Sequence, residues 1–133
     1  MRYLGIDFGL RRIGLAISEG EYASAWKIVK TDSLNSSLKQ ILNILEKERF
    51  DKVVVGVPEG GKVATVVKGF IKKLQANGIN AEATEETLSS KIGKQRMIEL
   101  GLPQKKRRFD DAYSAVEILQ NYLEKDKLDN EKS

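Results

Sequence analysis

The side chains able to do chemistry in this sequence are carboxylates. The 133-residue chain contains neither Cys nor His, which excludes a thiol nucleophile, an imidazole base, a disulfide framework and the usual zinc sites. What remains is Asp, Glu, Lys, Ser, Thr, Tyr and Arg, with or without a hard, oxygen-loving metal. Asp7 follows the apolar run Tyr3 to Ile6, at the end of a segment that reads as a strand. A charge there costs free energy unless a partner or a metal balances it. Glu85 and Glu86 follow a short strand and precede Leu88-Ser89-Ser90, where a helix starts, while Asp110 and Asp111 open the last helix. Each acid also has an ordinary structural use: Asp7 in a turn, Glu85 or Glu86 in a cap with Ser89 or Ser90, and the Asp pair against the positive helix end.

Helical spacing separates the last pair. Ala112, Ala115, Val116, Ile118, Leu119, Tyr122 and Leu123 form one apolar arc at about 100° per residue. Asp111 lies four before Ala115 and seven before Ile118, at the edge of that arc; Asp110 falls with Ser114, Glu117 and Asn121 on the expected solvent side. Spacing does not choose between Glu85 and Glu86. Acids from the first strand, the end of the fifth and the last helix can meet at one edge of a sheet. Three carboxylates cannot all ionise there without a cation. One or two Mg²⁺ or Mn²⁺ ions suit an all-oxygen site, and such ions support in-line attack on a phosphodiester without His or Cys.

The charge distribution points to the same class of substrate. Net charge is +4, yet residues 91 to 108 carry net +6 and the rest of the chain net −2. A local basic patch on a mildly acidic body suggests a polyanion, although a solvated basic loop has the same composition. Lys105, Lys106, Arg107 and Arg108 lead into Asp111, Arg11 and Arg12 flank Asp7, and Lys62 follows Gly60-Gly61. These seven are candidate nucleic-acid contacts, placed where cations offset the repulsion between catalytic acids and a phosphate backbone. The glycine pair also fits an ordinary loop.

The elements that must position these residues are legible as periodicity. Strands are expected over Arg2–Asp7, Ile13–Ser18, Ala23–Val29, Val53–Val57 and Ile79–Thr84, and helices over Ser37–Phe50, Val63–Gln75, Ser89–Leu100 and Asp110–Lys125. The continuous β-branched run Val53-Val54-Val55 fits a strand buried on both faces. The order βββαβαβαα implies an α/β fold with a mixed five-stranded sheet flanked by helices. Its first three strands are antiparallel, and the fourth and fifth are parallel to the first. In such sheets sites form at the carboxyl ends of parallel strands, and there Asp7 ends the first strand while the fifth runs into Glu82, Glu85 and Glu86. One domain over residues 1–125 is expected, with a polar, frayed tail over 126–133. No apolar run is long enough to span a membrane and no signal-peptide core opens the chain, so a cytoplasmic protein is expected. Monomer and homodimer stay equally open.

The segments GIDFGLRRIGLA, VVVGVP, EETLSS and FDDAYSAVEILQNYL, in this order, resemble the YqgF/RuvX family over nearly the whole chain. Its members are described as Holliday-junction resolvases or pre-16S ribosomal RNA nucleases with a ribonuclease H-like fold. The resemblance implies a divalent-metal-dependent nuclease on structured RNA or branched DNA, with Asp7, Glu86 and Asp111 as catalytic metal ligands. It therefore picks Glu86 over Glu85 and agrees with the helical choice of Asp111. A nucleic-acid-binding module without catalysis is the alternative, because the chain departs from the family pattern in three places. Leu10 replaces a Thr or Ser, Thr87 replaces an Arg, and the loop Glu59-Gly60-Gly61 is short.

Overall fold

The computed structural model describes residues 1–85 and 110–132, the side chains of 110–111 and 128–132 excepted. Five strands form one sheet in the order β3-β2-β1-β4-β5, built from β1 (Tyr3–Phe8), β2 (Arg12–Ser18), β3 (Ala23–Lys30), β4 (Lys52–Val57) and β5 (Ala81–Glu85). Strand β2 pairs antiparallel to both β1 and β3, while β4 is parallel to β1 and β5 parallel to β4. This is the mixed sheet that the sequence pattern implies. Helices α1 (Leu34–Lys47) and α2 (Gly61–Ala76) cover one face, and α3 (Asp110–Lys132) covers the other.

Strand alternation distributes the core between two layers. Leu4, Ile6, Phe8, Ile13, Leu15, Val53 and Val55 pack with Ile41 of α1 and with Val67, Phe70, Ile71 and Leu74 of α2. The intervening residues Tyr3, Ala16 and Val54 pack with Ala115, Ile118 and Leu119 of α3. Because β4 is apolar at successive positions, it serves both layers at once.

Local chemistry sets the element ends. Ser33 caps α1, its hydroxyl accepting from the Ser36 amide at 3.1 Å, so the helix opens at Leu34 rather than at Ser37. It closes at Lys47 because Glu48 is extended, which frees the Phe50 ring to pack against Trp26 at 5.9 Å. Helix α2 starts two residues before Val63, at Gly61, whose φ of 90° favours glycine. Asn77-Gly78 ends it, with Gly78 at φ 81°, the left-handed stop that the sequence announces. Strand β5 begins at Ala81 rather than Ile79. Helix α3 continues to Lys132, past Lys125 and through the stretch read as a polar tail. The helix expected over 89–100 lies outside the described residues. Among the described residues no helix is long and apolar enough to cross a membrane.

Candidate nucleic-acid processing site

The packing of α3 decides what can gather at the carboxyl end of β1. The Tyr122 ring meets the Tyr3 ring edge-on at 6.2 Å. Above Gly5, an added Cβ would lie 2.7 Å from Leu119 Cβ and 3.1 Å from the Ala115 carbonyl oxygen. The helix therefore lies almost directly on the β1 backbone there, a closeness that only glycine permits. As β1 runs from Tyr3 through Gly5 toward Asp7, α3 runs back from Tyr122 through Ala115 toward Asp111. From Ala115 to Asp111 is about 6 Å of helix rise; from Gly5 to Asp7 is about 7 Å of strand. The first turn of α3 and the Asp7 position thus reach the same level at the same end of the sheet.

Asp7 itself is half-buried. Alternation from Tyr3 and Gly5 sets it on the α3 face. Its register partner on β2 is Gly14; the parallel register ends at Ile6 and Val55, and one step further along β4 stands Gly56, which pairs with Thr84 of β5. The glycines on either side add no side chain of their own next to Asp7. Ile118 approaches from above, since an added Cβ on Gly56 would lie 2.5 Å from its Cδ1. The acid stands on a narrow floor roofed by α3.

The same alternation separates the two glutamates that sequence spacing left equal. Ala81 packs in the α1/α2 layer, so Ala83 and Glu85 follow it onto that face, while Glu82 and Thr84 belong to the α3 face. Glu85, opposite Val57, is exposed and stands on the wrong face to join Asp7. Glu86 and the cluster Lys105, Lys106, Arg107 and Arg108 lie outside the described residues, as does the Asp111 side chain. Among the described residues no group of three or more acids could hold a metal.

Of the other candidates, Arg11 is exposed in the turn after β1, Arg12 is exposed at the start of β2, and Lys62 is exposed in the first turn of α2, after β4. All three lie at the Asp7 end, and none is ion-paired to a described residue. A fourth cation was not singled out by the sequence reading. Lys30 sits directly opposite Arg12 in the β2–β3 register. Counting outward from the β2–β3 turn would have set Val29 there, because a bulge between Leu15 and Ala16 shifts the register by one and brings Lys30 opposite Arg12.

Two expectations need correction. Ser114 was placed with Asp110 on the solvent side, yet it is only 2% exposed. Helix α3 is enclosed more broadly near its start than a simple apolar arc suggests. Glu82 was counted among acids gathering at the site, but it is engaged elsewhere. Lys52 Nζ lies 3.1 Å from Glu82 Oε2 and 2.9 Å from the Tyr122 hydroxyl, and that hydroxyl donates to Glu82 at 2.8 Å. The Tyr122 hydrogen bond, helped by Lys52, holds the Glu82 carboxyl below its usual range despite an opposing effect of burial. The same contacts raise Lys52, and burial raises Tyr122. This network fastens α3 to the sheet at the end away from Asp7. A groove of about 530 Å³ also lies at that far end, lined by Met1, Tyr22 and Leu123 among others. Its Glu21 is paired with Lys127 at 3.4 Å.

Comparison with known proteins follows the same lines. Residues 1–125 match the family model described as "RuvX: Holliday junction resolvase". The chain is 32% identical to a "Putative pre-16S rRNA nuclease" of Natranaerobius thermophilus, over 94% of this chain and 95% of that one. It is 35% identical to a protein of the same name from Ruminiclostridium cellulolyticum, with the same two coverages. Similar solved structures include T. thermophilus RuvC in complex with a Holliday junction substrate, with TM-score 0.58 and 18% identity over 89% of this chain and 90% of that one. The fowlpox virus Holliday junction resolvase aligns with TM-score 0.60 and 13% identity over 94% and 99%. These structural likenesses carry the ribonuclease H-like fold.

Proposed function

This chain belongs to the RuvX family, and we propose that it hydrolyses phosphodiester bonds of structured nucleic acid with divalent-metal help, Asp7, Glu86 and Asp111 being the ligands. The observation that carries this reading is the antiparallel seating of α3 on β1. It brings the backbone of the first α3 turn to the level of Asp7 through close contact at Gly5. Glu85 stands on the opposite face, which favours Glu86 as the third acid.

The donor set is all carboxylate, which fits Mg²⁺ or Mn²⁺ and not a soft metal. When bound, such an ion lowers the pKa of a water and balances charge on the phosphate. The chain's own groups do the rest. Asp7, fixed on a strand between glycines that add no side chain beside it, would offer its carboxylate to the ion. Arg11, Arg12 and Lys62 stand around Asp7 at the same sheet end, and with Lys105, Lys106, Arg107 and Arg108 they hold the backbone. Contacts of that kind position a substrate without reading its sequence, and they weaken steeply with salt. Precursor 16S rRNA and a four-way DNA junction are the two substrates to compare.

The direct experiment is cleavage of both substrates in Mg²⁺ and in Mn²⁺ by the natural chain and by Asp7→Asn. The variant should fold normally and lose about 100-fold or more in rate, the equivalent of several kcal/mol of charge stabilisation. Full metal-dependent cleavage by Asp7→Asn would sink the mechanism. A binding module without catalysis is the second reading, favoured by Leu10, which brings no hydroxyl to the turn beside Asp7. It predicts salt-sensitive binding with no cleavage in either metal.

A further inference from the structure

The turn between β1 and β2 carries a side chain for which carboxylate chemistry has no use. Leu10 stands on it with 62% of its surface exposed, between Gly9 and the exposed Arg11 and Arg12. The turn is firmly built. An added Cβ on Gly9 would lie 2.5 Å from the Arg12 carbonyl oxygen, and the Thr31 amide donates to the Arg11 carbonyl at 2.9 Å. Leu10 is therefore held outward on a fixed support, the condition under which a contact residue loses little freedom on binding.

Its surroundings are cationic at a cost to the sheet. Arg12 and Lys30 face each other across β2 and β3, and alternation puts both on the α3 face, the face of Asp7. Like charges directly opposite on neighbouring strands destabilise a sheet. Neither is ion-paired to a described residue. With Leu10, Arg11, Thr31 and Asp32 they line a cleft of about 580 Å³, in which Asp32 is the acid. An anion in this cleft relieves the repulsion. A bare phosphate, however, gains nothing from an exposed aliphatic side chain. The largest apolar surface a nucleic acid offers such a side chain is the face of a base. In continuous duplex that face is already stacked on its neighbour.

We propose that this cleft takes one unstacked nucleotide, its base against Leu10 and its flanking phosphates on Arg12 and Lys30. The proposal rests on the nuclease reading and names the feature its substrates share: an interruption of the duplex beside the cleaved bond. A DNA branch point and a single-stranded RNA flank both supply it.

The test is binding without metal, in EDTA, by fluorescence anisotropy, with 2-aminopurine at the interruption to report unstacking. Four probes are used: a four-way DNA junction, a DNA duplex of the same arm sequence, an RNA stem with a single-stranded extension, and a continuous RNA duplex. The natural chain should prefer the interrupted probe in the DNA pair or the RNA pair, and the pair that shows it identifies the source. Leu10→Ser should weaken that probe about fivefold, leave the duplexes within twofold and abolish the 2-aminopurine change. Leu10→Phe should retain the preference. Lys30→Gln should weaken all four probes and reduce the salt slope by about one. Equal binding of all four probes by the natural chain overturns the proposal, as does a Leu10→Ser chain that binds like the natural one. A preference without any cleavage in Mg²⁺ supports the cleft while sinking the nuclease reading.

Discussion

The two ends of the sheet treat charge in opposite ways. At the amino end of β1, the exposed Lys47 and Arg49 are not ion-paired to a described residue, but three cations that pack between elements are matched: Arg2 pairs with Glu48 at 3.1 Å, Lys52 with Glu82 at 3.1 Å, and Lys127 with Glu21 at 3.4 Å. The Arg2 guanidinium also covers the Phe50 ring. At the carboxyl end, Arg11, Arg12, Lys30 and Lys62 are exposed and not ion-paired to any described residue. Arg12 and Lys30 are even set against each other. At one end charges tie α1 and α3 to the sheet; at the other they face outward, where the proposed substrate would meet them. A helix fixed at one end and closely seated at Gly5 can present its other end beside Asp7 without further support.

Breaking the seat should have the largest effect. Gly5→Val drives a side chain into the Ala115 carbonyl and the Leu119 Cβ, both of which belong to the helix body. We expect about 3 kcal/mol of lost stability, measured by urea denaturation, with cleavage falling by more than the fraction unfolded explains. An unchanged midpoint would show that α3 is not seated there.

Breaking the latch at the far end should do less. Tyr122→Phe removes the hydroxyl shared by Lys52 and Glu82. The expected loss is about 1 kcal/mol, kept small because Glu82 is half-exposed and solvent screens the pair. Cleavage by the folded protein should stay unchanged, which separates the structural end from the working one.

The smallest effect is the pH dependence of that latch. Glu82 is held below its usual range when folded, so its contribution is present at neutral pH and fades as pH falls through the folded value. Lys52 and Tyr122 are raised, so their contribution is present below their ordinary ranges and fades as pH climbs through the folded values. Stability should decline at both extremes. Glu82→Gln should flatten the acid limb by a few tenths of a kcal/mol, seen as a smaller drop in Tm between neutral and acid pH. An acid limb of unchanged slope would remove Glu82 from the latch.

Much of this fold was legible in the residues. The β-branched run at Val53 announces a strand serving two layers, and the apolar spacing of α2 names its buried face. Asp7 stood out because a charge ends an apolar strand. Other features depend on which elements touch. Glu82 and Glu85 look alike as acids in one short segment, and only the register of β5 sends one to Tyr122 and the other to the opposite face. Ser114 looks solvent-facing by type, yet close seating of α3 encloses it. Lys30 looks like any strand-end lysine until pairing with β2 sets it opposite Arg12. Periodicity reports how one element faces a core. It carries no record of which residue of another element stands across from it.

The central claim is that Asp7 and the start of α3 share one metal-holding end of the sheet. The most direct measurement is Mn²⁺ titration followed by NMR line broadening of backbone amides. Broadening should concentrate on Asp7, Gly14, Gly56 and the 111–112 amides, spare Tyr3 and Tyr122, and vanish in Asp7→Asn. Broadening centred on Glu82 and Tyr122, or none at Asp7 with Mn²⁺ in excess, would contradict the account.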